Sequence, residues 1–582
     1  MGFQTPISTS WIITLFNIDN SLKMRKSEYI KLPSLLIGAF LFSHTGASAQ
    51  ALEEQISVEG RYEAEVIPME RLATYPDHFK TTMPVEELSY DLDPTNLRFD
   101  PTFSPMPVPF SGSPRWRGYL DAALGSWLNS RLQAGAWILP PTAPWSLGAW
   151  VSHQSTSLWR PKEEDGRRFS IRRDYDETIG LQTAHTFADG RSFQASVDYN
   201  LHYFNYFTAP EAPSQTVNHL RAEASLSSSP TASLIYDFDF AASYFSWREF
   251  CLGDAGLRPS RETTLHLGAS LYNGGAALDA SLDAVLNGHG RDYGQLVLTP
   301  SYRFKWHSLH VRLGAQAEFT LNAGTKEDPY SFVHVAPKCL FYIPTSDFTW
   351  YLRVGGGSRL STLANLYELT QWQSPYQLST APLFSAIDAS LGFNAGPSSG
   401  KASGFEGGLD LRWRSLDHLP LIGWYPSLLE TGGSGSLEDL LDNAAGSSIS
   451  GMSVNARLAW SLPGVMRIDL QGLWAPRTPT HGGFAGIDRP EWTASGSVMV
   501  TPVSALELSV GADWRGDRRL YSHSGSLALP DWFSLSARAS WRFSERFSAG
   551  VTASNLTGRD NLILPGVPAE GLSAAATLSL LF

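Results

Sequence analysis

Cysteine is nearly absent. The 582-residue chain has 2, Cys251 and Cys339, too few for a disulfide framework or a zinc ligand set, so both are read as free thiols. Charge is also scarce, with Asp, Glu, Lys and Arg together making 17% of the chain. The balance is acidic, at net −12, which excludes the basic footprint of a general nucleic-acid binder. Beyond the N-terminal region no stretch approaches the roughly eighteen apolar residues that read as a membrane-spanning helix. What abounds instead is aromatic and small: 30 Phe, 21 Tyr, 19 Trp and 50 Gly. Few charges with many aromatics fit a β-rich chain whose surface is poorly solvated.

The first residues read as a targeting segment. Met24-Arg25-Lys26 opens a basic region, Leu35–Phe42 is a short apolar core, and Ala47-Ser48-Ala49 is a small-x-small cleavage site. Met24 is taken as the start, residues 1–23 as an extension, and 1–49 as removed on export. Residues 50–115 differ again. Prolines recur from Pro68 to Pro114, culminating in the run PTFSPMPVPF. Proline blocks helix interiors and ladder pairing alike, so an extended or loosely folded segment is expected there.

From residue 116 onward, period-two alternation takes over, the mark of strands. The last eleven residues, LSAAATLSLLF, put Leu572, Ala574, Ala576, Leu578, Leu580 and Phe582 on one face. Upstream, Phe533, Leu535, Ala537, Ala539, Trp541 and Phe543 oppose Ser534, Ser536, Arg538, Ser540 and Arg542. The same division sets Asp237 and Asp239 against Phe238 and Phe240, and Arg312 and Glu318 against Leu313 and Phe319. Arg467, Asp279 and Asp283 also fall on polar faces. These charges are candidates for the wall of an aqueous lumen. The acids are read mainly as hydrated groups paired with arginines of neighbouring strands.

Connections alternate as well. Short turns fall near 140–144, 188–190, 273–275, 305–307, 461–464 and 544–546. Mostly longer loops lie between them, such as 158–174, 360–385, 415–450 and 555–571. A soluble sandwich has short loops at both ends, whereas short turns on one side and long loops on the other mark a membrane barrel. The expected fold is all-β: a transmembrane antiparallel β-barrel of about 22 strands, with short periplasmic turns and long extracellular loops. Tryptophans cluster at strand ends. Trp306, Trp460 and Trp541 lie beside short turns, and Trp413, Trp474, Trp492 and Trp514 beside long loops, as an interfacial girdle requires. Tyr203–Phe207 is read as part of that girdle.

Residues Leu529–Phe582 resemble the last three strands of TonB-dependent outer-membrane receptors. The likeness rests on Pro530-Asp531 before an alternating strand, Asn555-Leu556 at a strand end, Pro565-Gly566 in the following loop, and the terminal aromatic Phe582. The resemblance implies a 22-stranded barrel in the outer membrane of a Gram-negative cell, uptake of a solute, and recognition of Phe582 by the β-barrel assembly machinery. Ile56–Gly60 has the flavour of a TonB contact box, and the use of TonB stays open. The family carries a globular plug between that box and the barrel. Here only the Pro-rich residues 50–115 stand in that position, so a plugless barrel is expected. Something must then occlude the lumen: residues 50–115, inward folding of loops 360–385 or 415–450, or a partner.

No catalytic set, metal site or cofactor motif emerges, and the chain is not read as an enzyme. The expected function is uptake or passage of a solute across the outer membrane. The alternative is a scaffold or assembly subunit, with 50–115 as a docking arm for a periplasmic or outer-membrane protein. Expected partners are therefore outer-membrane lipid, the assembly machinery and such a protein.

Overall fold

In the computed structural model the described residues are 117–582, apart from 141–144, 158–172, 206–213, 230–231, 250–259, 289–290, 325–328, 346–347, 361, 365–366, 368–382, 397–403, 418–447, 463, 477–478, 482–489, 523–524 and 565–566. Residues 1–116, with the expected targeting and Pro-rich segments, most of loop 415–450 and Cys251 lie outside them. Cys339 is a free thiol.

Twenty-two staves make the barrel. The first quarter comprises β1 (Gly118–Gly125), β2 (Ser130–Leu139), β3 (Trp145–Thr156), β4 (Asp174–Thr186) and β5 (Ser192–Asn205). Next come β6 (Ser214–Ser227), β7 (Ile235–Glu249), β8 (Ser260–Asn273), β9 (Ala276–Gly288) and β10 (Arg291–Trp306). They are followed by β11 (Leu309–Gly324), β12 (Pro329–Pro344), β13 (Phe348–Leu360), β14 (Leu383–Ala395), β15 (Gly404–Asp417) and β16 (Ser448–Leu462). The circle is completed by β17 (Met466–Trp474), β18 (Trp492–Val503), β19 (Leu506–Gly516), β20 (Trp532–Arg542), β21 (Phe547–Ser554) and β22 (Ser573–Leu581). Each stave pairs antiparallel with the next, and β22 pairs back with β1, so no full-length sheet edge is left. The short strand Pro479–His481 continues the line of β17 along β16.

The expected architecture of about 22 antiparallel strands is the one found. The first hairpin, whose LNSR turn is weak in sequence, closes through positive φ at Trp127 (62°) and Leu128 (51°). Loop-end connections are not uniformly long, since residues 289–290 and 325–328 join β9 to β10 and β11 to β12.

Alternation decides which side of each stave meets which medium. Phe405, Val335 and Leu267 stand 66%, 64% and 50% exposed on the outer face. Such a continuous apolar exterior is far larger than a soluble protein shows and suits a lipid surround. No described helix is long and apolar enough to cross a membrane, which has no bearing on crossing by strands.

Candidate functional site

The barrel interior gathers the charged side chains. Asp237 and Asp239 of β7 and Asp279 and Asp283 of β9 lie on faces opposite to the exposed Phe238, Phe240, Leu278 and Leu282. Their partners are more varied than arginine alone. His266 of β8 is clamped between two carboxylates, 2.7 Å from Asp239 and 2.6 Å from Asp283. Arg312 reaches Asp279 at 3.0 Å and donates to Ser301 at 3.1 Å. Asp237 accepts a bond from Ser227 at 2.7 Å. Arg467 pairs within its own strand with Asp469 at 2.8 Å. Arg538 is on the inward face of β20, its Nε buried without a hydrogen-bond partner, and Arg542 is exposed at the turn end. Among the described residues no group of three or more His, Cys, Asp or Glu is arranged to hold a metal ion.

One candidate does more than line the wall. β13 pairs with β12 only from Thr349 to Val354, although its pairing with β14 continues to Leu360. The pairs that would come next fall at Gly355-Gly356-Gly357 on one side and Lys338-Pro337 on the other. Proline has no N–H to give to a ladder, and glycine accepts the φ of +150° found at Gly357. The upper part of β13 thus peels away from β12 into the interior.

There it meets Glu318, which is fully buried. Both carboxylate oxygens accept the N–H of Ser358 at 2.8 Å, and the Ser358 hydroxyl donates to the same carboxylate. Gln316 donates to it at 2.5 Å and His334 lies 3.2 Å away. Gln295 donates to the Ser358 oxygen at 2.6 Å and to Thr320 at 3.1 Å. A buried carboxylate is tolerated when several donors satisfy it, and here they come from β11 to β13. A Cβ at position 357 would sit 2.7 Å from a Glu318 oxygen, so glycine is needed for space as well as for backbone.

Beyond the peel, the chain packs on the inner face of β5 to β8. Leu363 and Tyr367 join Phe204, Val217, Phe245 and Trp247 in a cluster of buried residues. Tyr367 meets Trp247 edge-on at 5.2 Å, and its hydroxyl bonds to His202, whose other nitrogen lies 2.8 Å from Asp174. Trp247 is satisfied by Gln215 at 2.5 Å. The first N–H groups of the helical turn, those of Leu363 and Ala364, donate to Glu262 of β8 at 2.8 and 3.2 Å. A carboxylate here does the work of a helix N-cap, supplied from a remote strand. Loop 360–385 is one of the expected inward folders, and its Leu363, Ala364 and Tyr367 do lie inside. Phe204 of the Tyr203–Phe207 run belongs to this cluster, whereas Tyr203 pairs with Tyr175 at 6.0 Å.

The barrel seam is equally specific. Tyr119 pairs with Leu581, Ala122 with Leu578 and Gly125 with Ala575. The carbonyl of Phe582 accepts the N–H groups of Arg117 (2.6 Å) and Gly118 (2.8 Å), and its own N–H donates to the Gly118 carbonyl at 3.0 Å. Gly118 is in the one place where the Phe582 ring leaves no room for a Cβ, which would stand 2.5 Å from it. Trp306, Trp413, Trp514 and Trp541 are exposed on the outer face near strand ends, as is Trp492, while Trp460 and Trp474 are partly covered. Trp474 pairs with Trp492 at 5.7 Å and Trp460 with Phe405 at 6.3 Å.

The roles of Glu262 and of the Gly355–Gly357 bend were not anticipated. Three glycines closing an otherwise alternating strand were the available signal. For Glu262 there was none, because its partner is about a hundred residues away.

No protein-family model and no curated protein matches the sequence. The fold, by contrast, is similar to solved structures of iron receptors. The ferripyoverdine receptor of the outer membrane of Pseudomonas aeruginosa superposes with a TM-score of 0.59 at 9% identity, over 80% of this chain and 72% of that one. The FrpB iron transporter of Neisseria meningitidis gives 0.61 at 10% identity, over 80% and 81%. The ferric-catecholate import receptor Fiu of Escherichia coli K12 gives 0.56 at 8%, over 81% and 82%. The likeness at such identities is one of fold: a large closed antiparallel β-barrel like those of these receptors and transporters.

Proposed function

We propose that the chain is a receptor-like barrel of the Gram-negative outer membrane that mediates uptake or passage of a solute and performs no catalysis. The observation carrying this reading is the pairing of an apolar exterior with a charged, hydrogen-bonded interior. An interior meant only as structural filling would be packed with apolar layers, as small barrels are. The likeness in fold to iron transporters and import receptors supports it. We further propose that no globular plug precedes the barrel, and that the inward segment of β13 with the Leu363–Tyr367 turn narrows the lumen. Residues Asp237, Asp239, Asp279, Asp283, Arg312, Arg467, Arg538 and Arg542 then face the passage, with Glu318 holding the constriction. Phe582 serves as the signal for the assembly machinery.

Purified full-length protein in a planar bilayer tests this. Stepwise conductance is expected, increasing when Tyr367 and Glu262 are both changed to Ala. Silence that ends on removal of residues 50–115 would make that segment the occluder. Silence under every condition, with a stoichiometric protein co-purifying in mild detergent, would replace the reading with that of a scaffold.

A further inference from the structure

The inward charges are not spread evenly around the wall. On β4 to β9 the interior face carries Asp176, Asp198, Asp237, Asp239, Asp279 and Asp283, and among the described residues Arg221 is its one Arg or Lys. Half the circumference away, on β13 to β20, it carries Arg353, Arg412, Arg414, Arg457, Arg515 and Arg538. Carboxylates are present there too, Asp388, Glu406, Asp410, Asp469, Glu507 and Asp513, and several of them sit among guanidinium groups. Asp388 is bonded by Arg412 at 2.7 Å and also lies within electrostatic reach of Arg353 and Arg414. Asp410 accepts the Tyr351 hydroxyl at 2.6 Å, and that tyrosine faces Arg353 and Arg457. On the acidic side the compensation is weaker. Asp239 and Asp283 share the single His266, and Asp279 borrows its arginine from β11.

From this arrangement we propose that the lumen selects dipolar solutes, molecules bearing a cationic and an anionic group at opposite ends, with zwitterionic peptides as the chemical class. The inference rests on the reading of the barrel as a passage. Fixed charges of opposite sign on facing walls set up a transverse field, and low-dielectric strands concentrate it across the water between them. A solute of one sign is drawn to one wall and repelled by the other. A zwitterion turned across the lumen satisfies both at once. An uncharged solute of equal size gains nothing and must displace water that the field has oriented. One-to-one pairs such as Arg312–Asp279 and Arg467–Asp469 cancel locally; the field comes from clusters that keep a sign, two carboxylates on the one His266 and three guanidinium groups around Asp388.

The test is liposome swelling with full-length protein and four probes of nearly one size: a tripeptide with uncharged side chains, its N-acetyl form, its C-terminal amide, and the doubly blocked peptide. The free tripeptide is expected to enter on the order of tenfold faster than the doubly blocked form and ahead of both singly charged ones. Two charge-neutral variants, Asp239→Asn with Asp283→Asn and Arg412→Gln with Arg457→Gln, should each erase that lead. Their folding is checked by heat-modifiable migration on gels, and the single substitutions serve if a pair fails to assemble. Equal rates for all four probes would overturn the inference while leaving the passage intact. A simple order by net charge would also overturn it. Exclusion of every probe, the doubly blocked peptide included, would overturn the passage reading and this inference with it.

Discussion

The walls β4–β9 and β13–β20 are written in the same alternation, and from outside they are indistinguishable. Inside they differ in how each charge is kept. The basic wall holds its acids with guanidinium groups, as at Arg412–Asp388. The acidic wall has arginine at Asp198 and Asp279, but elsewhere relies on histidine and on backbone N–H groups, as at His266 and at Glu262 beneath Leu363. An arginine stays charged under all ordinary conditions, whereas a histidine or a docked turn can be lost. The acidic wall is therefore the conditional one, and the inward turn is fastened to it.

The largest effect should come from the seam, which lies outside both walls. Deleting Phe582 removes the partner of the Arg117 and Gly118 N–H groups and the proposed assembly signal. Outer-membrane barrel yield, read from the heat-modifiable band, should fall more than for any interior substitution; equal yield would sink the claim. Next, Leu267→Arg on the acidic wall and Leu411→Arg on the basic one should each cost about 2–4 kcal/mol in lipid vesicles. The two costs should match, because the walls differ only inside. A large disparity in urea titrations would break the comparison as drawn.

Glu318→Ala leaves the Ser358 N–H and hydroxyl without their acceptor and should cost about 1–3 kcal/mol. Glu262→Ala does the same to Leu363 and Ala364. Both should raise conductance, whereas Arg412→Gln should not, since no inward segment is fastened to it. The smallest effect is at the turn before β5. The Arg191 backbone N–H, with that residue's side chain, holds the Asp189 carboxyl below the ordinary carboxylate range. A depressed carboxyl contributes above its unfolded pKa, and the contribution is lost as pH falls through the folded value. Because the group is fully exposed, acidification should loosen this turn, seen by amide exchange, without measurable loss of the barrel.

Much of the barrel was legible because period two has only one reading once both faces are distinct. LSAAATLSLLF could be placed as a closing strand, and it pairs with β1 as such. Phe245 and Trp247 show the limit. They continue the inward face of β7, where Asp237 and Asp239 already lie, yet they are aromatic and wholly buried. Alternation gives direction but not depth, and what an inward residue touches depends on chain arriving from far away. The same holds for Glu318, legible as inward and illegible as an anchor. Its donors come from β11 to β13, a grouping set by where β13 leaves its neighbour.

That departure has a further consequence for the barrel as a mechanical object. A closed barrel owes its stiffness to the absence of any free strand margin. Above Cys339 and Val354, β12 keeps β11 on one side but has lost β13 on the other. A margin about half a strand long is reinstated there, beginning at Pro337 and Lys338. The cylinder is in effect a ring with a notch cut into its loop-end rim. Thermal breathing and fast amide exchange should concentrate at that notch, and strain applied to the rim should widen it before any other hairpin parts.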